Sequence, residues 1–282
     1  MTTTISPNNP KSTSPDPSFP FQPHPTWQTM PPSQIPSSTP YAWPHDTSLS
    51  PGTTALLIID MQHDFLSPNG YLSTLSPETT YRFVRLVPTI SHILTTFRRA
   101  SFPIIHTREG HAPHLATVSS RERHRLRASG VQIGAMGPMG RFLVRGEVGH
   151  DIVGEVAPVE GEVVIDKPGR GAFTNTELDA VLRARGVKNL VVCGVTADAC
   201  VSSTVREASD RGYDVLVVED GVESVNDELK RWSLESIRVE GGLFGVTANS
   251  KAVIEAVEAW IGAGARKSRK GEKDSVRLAT LL

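Results

Sequence analysis

The stretch LVVCGVTADACVSSTVREASDRG, residues 190–212, decides how this chain is read. Leu190, Val191, Val192 and Cys193 form a short apolar run of the kind that fills a strand buried on both faces of a parallel sheet. Gly194 breaks the run. Thr196 and Asp198 then offer N-cap oxygens, and a helical pattern continues to Gly212, a glycine stop. Cys200 therefore falls at a strand-to-helix junction, in or near the first helical turn. The partial positive charge there favours thiolate over thiol, which would make the cysteine nucleophilic near neutral pH.

Working outward, the same strand-then-helix punctuation recurs. TALLIID, residues 54–60, reads as the first strand and ends on Asp60. MQHDF and a Pro68-Asn69-Gly70 turn follow. A single long helix is predicted over 77–99, with Phe83, Leu86, Ile90, Ile93, Leu94 and Phe97 on its apolar side. Residues 103–107 read as the second strand and EVVIDKP, 162–168, as the third, ending at Lys167. A helix capped by Thr174 or Asn175 leads to the cysteine strand. Residues 215–224 make a fifth strand, 228–239 a helix and 243–247 a short sixth strand. SKAVIEAVEAWIG closes the domain. Alternating buried strands and amphipathic helices predict a three-layer α/β/α sandwich with a mainly parallel six-stranded, Rossmann-like sheet. Neither GxGxxG after a first strand nor GxxxxGK[ST] is present, so no dinucleotide or P-loop nucleotide is implied.

Three segments stand outside that pattern. Residues 1–50 are rich in Pro, Ser and Thr, with Lys11 as their only basic Lys or Arg, and are predicted to be disordered. YAWPHD near their end is the part expected to touch the domain, which spans 51–263. Residues 264–282 read as a basic, frayed tail. Residues 108–149 form an irregular excursion over the mouth of the sheet, where substrate-selecting loops usually lie. Its arginines (Arg121, Arg123, Arg125 and Arg127) read as a solvated helix face.

The totals exclude several classes. With 29 Lys and Arg against 30 Asp and Glu, the net charge is −1, which gives no bulk attraction to nucleic acid or membrane. No apolar run approaches the length of about 18 residues that spans a bilayer. Two cysteines, Cys193 and Cys200, cannot build a disulfide framework, and a reducing, cytoplasmic compartment is expected.

Asp60, Lys167 and Cys200 each follow a different strand. Strand carboxyl ends in such a sheet converge on one crevice, so the three side chains can meet. An acid, an amine and a thiol are what thiol-based acyl transfer requires. Asp60 would accept the proton of Cys200 and return it to a leaving nitrogen, with Lys167 orienting both charges. Backbone N–H groups between Val195 and Cys200 would receive the oxyanion.

ALLIIDMQHDF, VVIDKPGRGAF and LVVCGVTADACVSSTVREASDRGY together resemble the isochorismatase-like cysteine hydrolases, over roughly residues 55–261. The resemblance implies a catalytic triad of Asp60, Lys167 and Cys200. It also implies a cis peptide before Thr196 and an oxyanion hole formed by the N–H groups of Thr196 and Cys200. HTREGH, GPMGR…RGEVGHDI and YAWPHD look most like the biuret and ureidoacrylate amidohydrolase branch, which cleaves C–N bonds of small amide or ureido compounds. Biuret-type members commonly carry Gln where this chain has Glu240. An ionised Glu only accepts hydrogen bonds, so at the pocket it would favour an NH-rich or cationic group. Nicotinamidases of the family bind zinc through an Asp-x-His unit that HTREGHAPH lacks. His106, His111 and His114 are therefore expected on loops or the pocket rim, with no metal and no cofactor. Arg108, Glu109, His111, Arg141 and Arg145 are further candidates for substrate contacts. The expectation is a cysteine-dependent amidohydrolase with a small-molecule amide substrate and, from the resemblance, a homodimeric or homotetrameric assembly. The alternatives are a nicotinamidase-like amidase, a binding homologue that has lost catalysis, and a thiol-oxidation sensor, which the absence of a resolving cysteine disfavours.

Overall fold

The computed structural model describes residues 33–279, with side chains described for residues 33–264. The strands are β1 (Thr54–Ile59), β2 (Ile104–Glu109), a two-residue ribbon of β3 (Met136–Gly137) and β4 (Gly140–Arg141), β5 (Val163–Lys167), β6 (Asn189–Val195), β7 (Asp214–Glu223) and β8 (Val246–Ala248). Six of them make one sheet in the order β5-β2-β1-β6-β7-β8, and every neighbouring pair is parallel. This is a doubly wound sheet: the chain builds outward one way from β1, then returns to start the other half at β6. The order reverses between β1 and β6, which is where such sheets open a crevice beyond their carboxyl ends.

Side chains of β1 alternate between two cores. Leu56 and Ile58 pack with Ile90, Ile93, Leu94 and Phe97 on one face. Ala55, Leu57 and Ile59 pack with Leu178, Leu182, Val201 and Val205 on the other. All six residues of β1 are buried, as an apolar run covered on both faces must be. Gly194 in β6 takes φ +115°, and a Cβ at this position would collide with the Ile59 carbonyl of the neighbouring strand. Only glycine lets β1 and β6 approach so closely at the crevice.

Four sequence expectations need correction. The helix predicted over 77–99 is two helices, Pro77–Val84 and Val87–Arg99, because Pro88 has no N–H to continue the first into the second. The helix after β5 starts at Leu178 behind Glu177, while Asn175 takes a left-handed φ of 58° in the preceding turn. Residues 33–50 are not disordered: Ile35, Trp43 and Leu49 are buried in the domain core. Three large apolar side chains secure the segment, and its low apolar content hid them. Thr39 also pairs with Thr247 of the edge strand β8, donating to its carbonyl at 2.9 Å and accepting from its N–H at 2.8 Å. The rest of the predicted extension, residues 1–32, lies outside the described residues. At the other end, helix Ser250–Ala279 continues through most of the predicted frayed tail, consistent with a run of Ala, Lys, Arg and Glu that favours helix. Among the described residues, no helix is long and apolar enough to cross a membrane.

Candidate active site

Three adjacent strands deliver the charged groups. Asp60 is the first residue beyond β1, and Glu109 and Lys167 end β2 and β5 as register partners. Beyond β6 the chain enters one π-helical turn, Ala197–Val201, before helix Ser202–Asp210, and this turn carries Cys200. The Val195–Thr196 peptide is cis. Thr196 is extended and makes no side-chain cap, and Asp198 accepts instead from the Ser224 hydroxyl at 2.7 Å. Neither residue fills the N-cap role anticipated for it.

The four side chains meet in near-complete burial. Lys167 Nζ lies 2.7 Å from Asp60 Oδ2 and 3.6 Å from Glu109 Oε2. It also donates to the Gly169 carbonyl at 2.8 Å. The Cys200 thiol donates to Glu109 Oε2 at 3.2 Å. Thr107 donates its hydroxyl to Asp60 Oδ1 at 2.6 Å. Asp60 itself adopts φ 52°, a left-handed conformation that Asp tolerates better than most residues, and this turns its carboxylate off the end of β1.

Burial sets the protonation states. It pushes the Asp60 carboxyl up; the Lys167 ammonium opposes it, and the charge of Glu109 adds to it. Burial also disfavours a charged Glu109, but Lys167, Arg170, the thiol of Cys200 and His111 outweigh it and hold that carboxyl below its ordinary range. Lys167 is held charged because the surrounding acids outweigh its desolvation. The Cys200 thiol is pushed well up, first by burial and then by Asp60 and Glu109, against the pull of Lys167. The thiolate expected from a helix N-terminus is therefore corrected: two carboxylates and a low dielectric keep the resting sulfur protonated.

Gln62 was not anticipated. Its side chain is fully buried, accepts from the Glu109 N–H at 2.7 Å, and donates to the carbonyls of Glu109 and His150 at 3.0 Å each. It fixes the backbone that aims Glu109 at the sulfur. The visible signal was MQHDF placed directly after a strand end. Glu109 was foreseen only as a substrate contact, because the second strand was ended two residues early at Thr107.

Above the sulfur lies a cavity of about 230 Å³ lined by Glu109, Thr196 and Cys200. Phe65, Leu72, Leu75, Ile133 and Leu143 make an apolar wall, and Glu122, Arg125 and Arg170 a polar corner. Arg125 is thus not on a purely solvated helix face.

The other candidates do not line this cavity. Arg108 pairs with Asp166 at 2.7 Å and Asp151 at 2.9 Å. Arg141 donates to the carbonyls of Gly134 and Pro113, and Arg145 to those of Gly110 and Asp166. His111 is buried and hydrogen-bonds with Thr117 at 2.7 Å. Glu240 is exposed at φ 52° in the kink that ends helix Asp227–Gly242, so the cation preference argued from it falls away. The three histidines do not cluster: His106 is buried against Glu162 at 3.0 Å, and His114 is exposed. Asp60, Glu109 and Cys200 do place one ligand atom each within 4.8 Å of one another. Lys167 already supplies the positive charge between those carboxylates, and a metal ion there would face its ammonium at close range.

A doubly wound sheet with a buried acid, amine and thiol beyond its strand ends is shared with known proteins. Residues 54–251 match the isochorismatase domain, and the chain belongs to that family. Ureidoacrylate amidohydrolase RutB of Caulobacter segnis is 28% identical over 214 residues, covering 74% of this chain and 89% of the relative. Among solved structures, a cysteine hydrolase from Pseudomonas syringae pv. phaseolicola superposes with a TM-score of 0.63 at 25% identity, covering 75% of this chain and 95% of that one. N-carbamoylsarcosine amidase from Thermoplasma acidophilum gives a TM-score of 0.53 at 27% identity, over 70% and 96% of the two chains. The chain is an isochorismatase-family hydrolase.

Proposed function

We propose that this hydrolase is an amidohydrolase that cleaves a C–N bond of a small amide or ureido compound through a thioester on Cys200. The observation carrying this reading is the buried Asp60–Lys167–Cys200 cluster, with Lys167 Nζ 2.7 Å from Asp60 and the thiol hydrogen-bonded to Glu109 at 3.2 Å. The names of the relatives, ureidoacrylate amidohydrolase and N-carbamoylsarcosine amidase, support the same bond type.

The two carboxylates divide the work because their environments push them apart. Asp60, raised by burial, is the better proton acceptor; Glu109, held ionised, accepts from the substrate N–H as the thiol turns to attack. The thiol proton passes to Asp60 while sulfur bonds to the carbonyl carbon. The resulting oxyanion takes hydrogen bonds from the N–H groups of Thr196 and Cys200. Collapse expels the nitrogen, which leaves with the proton from Asp60. Water then adds to the thioester, giving its proton to Asp60, and breakdown restores the thiol. Lys167 stays protonated throughout and stabilises whichever of Asp60 or Cys200 carries negative charge.

Purified protein incubated with a panel of ureido and amide compounds, scored by ammonia release, tests this. Cys200→Ser should abolish turnover, and undiminished turnover in that variant would reject the mechanism.

A further inference from the structure

The cavity is larger and more apolar than a bare ureido group requires. A dry cavity of about 150 Å³ accommodates benzene, so about 230 Å³ leaves room for a six-membered ring beside the scissile amide. Phe65, Leu72, Leu75, Ile133, Leu143 and Val225 wall that space with hydrocarbon. Left facing water these side chains gain nothing, whereas covering them with an apolar ligand body removes hydrocarbon surface of both from water, which is favourable.

The polar corner has a definite charge. Glu122 sits between two guanidinium groups, accepting from Arg170 Nη2 at 2.8 Å and from Arg125 through both Nη2 at 2.5 Å and Nε at 3.3 Å. One carboxylate against two guanidinium groups leaves this corner net positive, while Glu109, whose charge also acts on Arg170, supplies the negative end of the cavity beside the sulfur. Among the described residues, Glu122 engages a single N–H of Arg170, whereas a guanidinium offers five in a fork that fits a carboxylate. Arg170 lies three residues beyond Lys167 and lines the same cavity as Cys200. The remaining acids there are occupied: Asp198 by Ser224, and Glu109 by the thiol and Lys167.

Building on the amidohydrolase reading, we propose that the substrate is an amide or ureido acid with a hydrophobic, ring-sized body, whose carboxylate is received by Arg170 with Arg125 behind it. Arg170 is then a specificity residue: it selects the anionic end, and the wall formed by Phe65, Leu72 and Leu75 selects the body.

Three probes separate the elements. N-carbamoylphenylalanine carries both, N-carbamoylphenethylamine lacks the carboxylate, and N-carbamoylglycine lacks the ring. The first should exceed each of the others at least tenfold in kcat/KM. Arg170→Gln should raise KM for N-carbamoylphenylalanine at least tenfold and cut the acid-over-neutral preference by a similar factor. Arg170→Lys should restore part of that preference, and Arg121→Gln, on the exposed face of the neighbouring helix, should leave it intact. Equal rates for the three probes, or a preference unmoved by Arg170→Gln, would overturn the proposal. Calorimetric binding of the probes to Cys200→Ser keeps the two claims apart. Selective binding of N-carbamoylphenylalanine without turnover by the wild type supports the pocket assignment and defeats the reaction. Unselective or absent binding to this variant defeats the pocket assignment whatever the wild type hydrolyses.

Discussion

Glu109 Oε2 lies 3.2 Å from Cys200 Sγ and 3.6 Å from Lys167 Nζ, so a second carboxylate shares the sulfur's environment with Asp60. Its charge is among the causes that push the thiol up. Glu109→Gln should therefore shift the pH midpoint of Cys200 alkylation by iodoacetamide downward. Amide turnover should fall in the same variant by ~10²-fold, the scale at which positioned proton and hydrogen-bond partners act. A thiol that becomes more reactive while the enzyme becomes slower would mark Glu109 as a participant in substrate handling. An unmoved alkylation midpoint would contradict the electrostatics.

Gln62 holds Glu109 by its backbone at both ends, and all three of its hydrogen bonds are buried. Gln62→Leu would strand the Glu109 N–H and two carbonyls without partners. Each such group costs on the order of 1–3 kcal/mol, so chemical denaturation should show a loss of several kcal/mol. Because Glu109 is also re-aimed, kcat should fall more than the remaining folded fraction accounts for. Parallel loss of folded protein and activity, with unchanged kcat per folded molecule, would reduce Gln62 to scaffolding.

His150 is fully buried beneath Gly110, 3.6 Å from Asp166. Burial, reinforced by Arg108 and Arg145 and opposed by Asp166 and Asp151, pushes its imidazole down to about 4. Its folded value lies below the unfolded one, so the unfolded chain binds more protons between the two. Its contribution is present above pH ~6.5 and is lost as pH falls toward 4, an effect of about 3 kcal/mol for a group shifted that far. Melting temperature should drop across that window, and His150→Gln should flatten the drop. An equally steep drop in the variant would assign the acid sensitivity elsewhere.

Trp43 is completely buried although it stands in a Pro- and Ser-rich segment. Trp43→Ala should cost about 3–5 kcal/mol, the usual range for emptying an aromatic core position. It should also release residues 33–50 from Asp214, which now accepts from the Tyr41 hydroxyl at 2.8 Å and the His45 N–H at 2.9 Å. Proteolysis at residues 33–50 should accelerate accordingly. Stability within 1 kcal/mol of the parent would refute a structural role for the segment.

Much of this was legible in the sequence because the physics is local. The strands announced themselves as largely apolar runs between helical periods, and Asp60 and Lys167 were visible because charges closing such a run mark a strand end. What escaped depends on distant partners. Glu109 is two residues beyond Thr107, where the sequence reading ends the strand, and its proximity to the sulfur follows from register with Lys167. The Cys200 thiol is pushed up first by its burial and then by carboxylates on other strands, neither of which local sequence shows. Arg125 and Arg170 are 45 residues apart and are joined through Glu122. Glu240 misled because its neighbours resembled a pocket motif, while its side chain stands exposed at a helix kink.

The central claim is a covalent acyl group on Cys200. Wild-type protein mixed with a turned-over substrate, acid-quenched within milliseconds and digested for mass spectrometry, should carry the acyl mass on the peptide containing Cys200. The adduct should disappear at a rate no slower than kcat, and Cys200→Ala should show neither adduct nor product. Full turnover with the Cys200 peptide unmodified, or product release by Cys200→Ala, would contradict it.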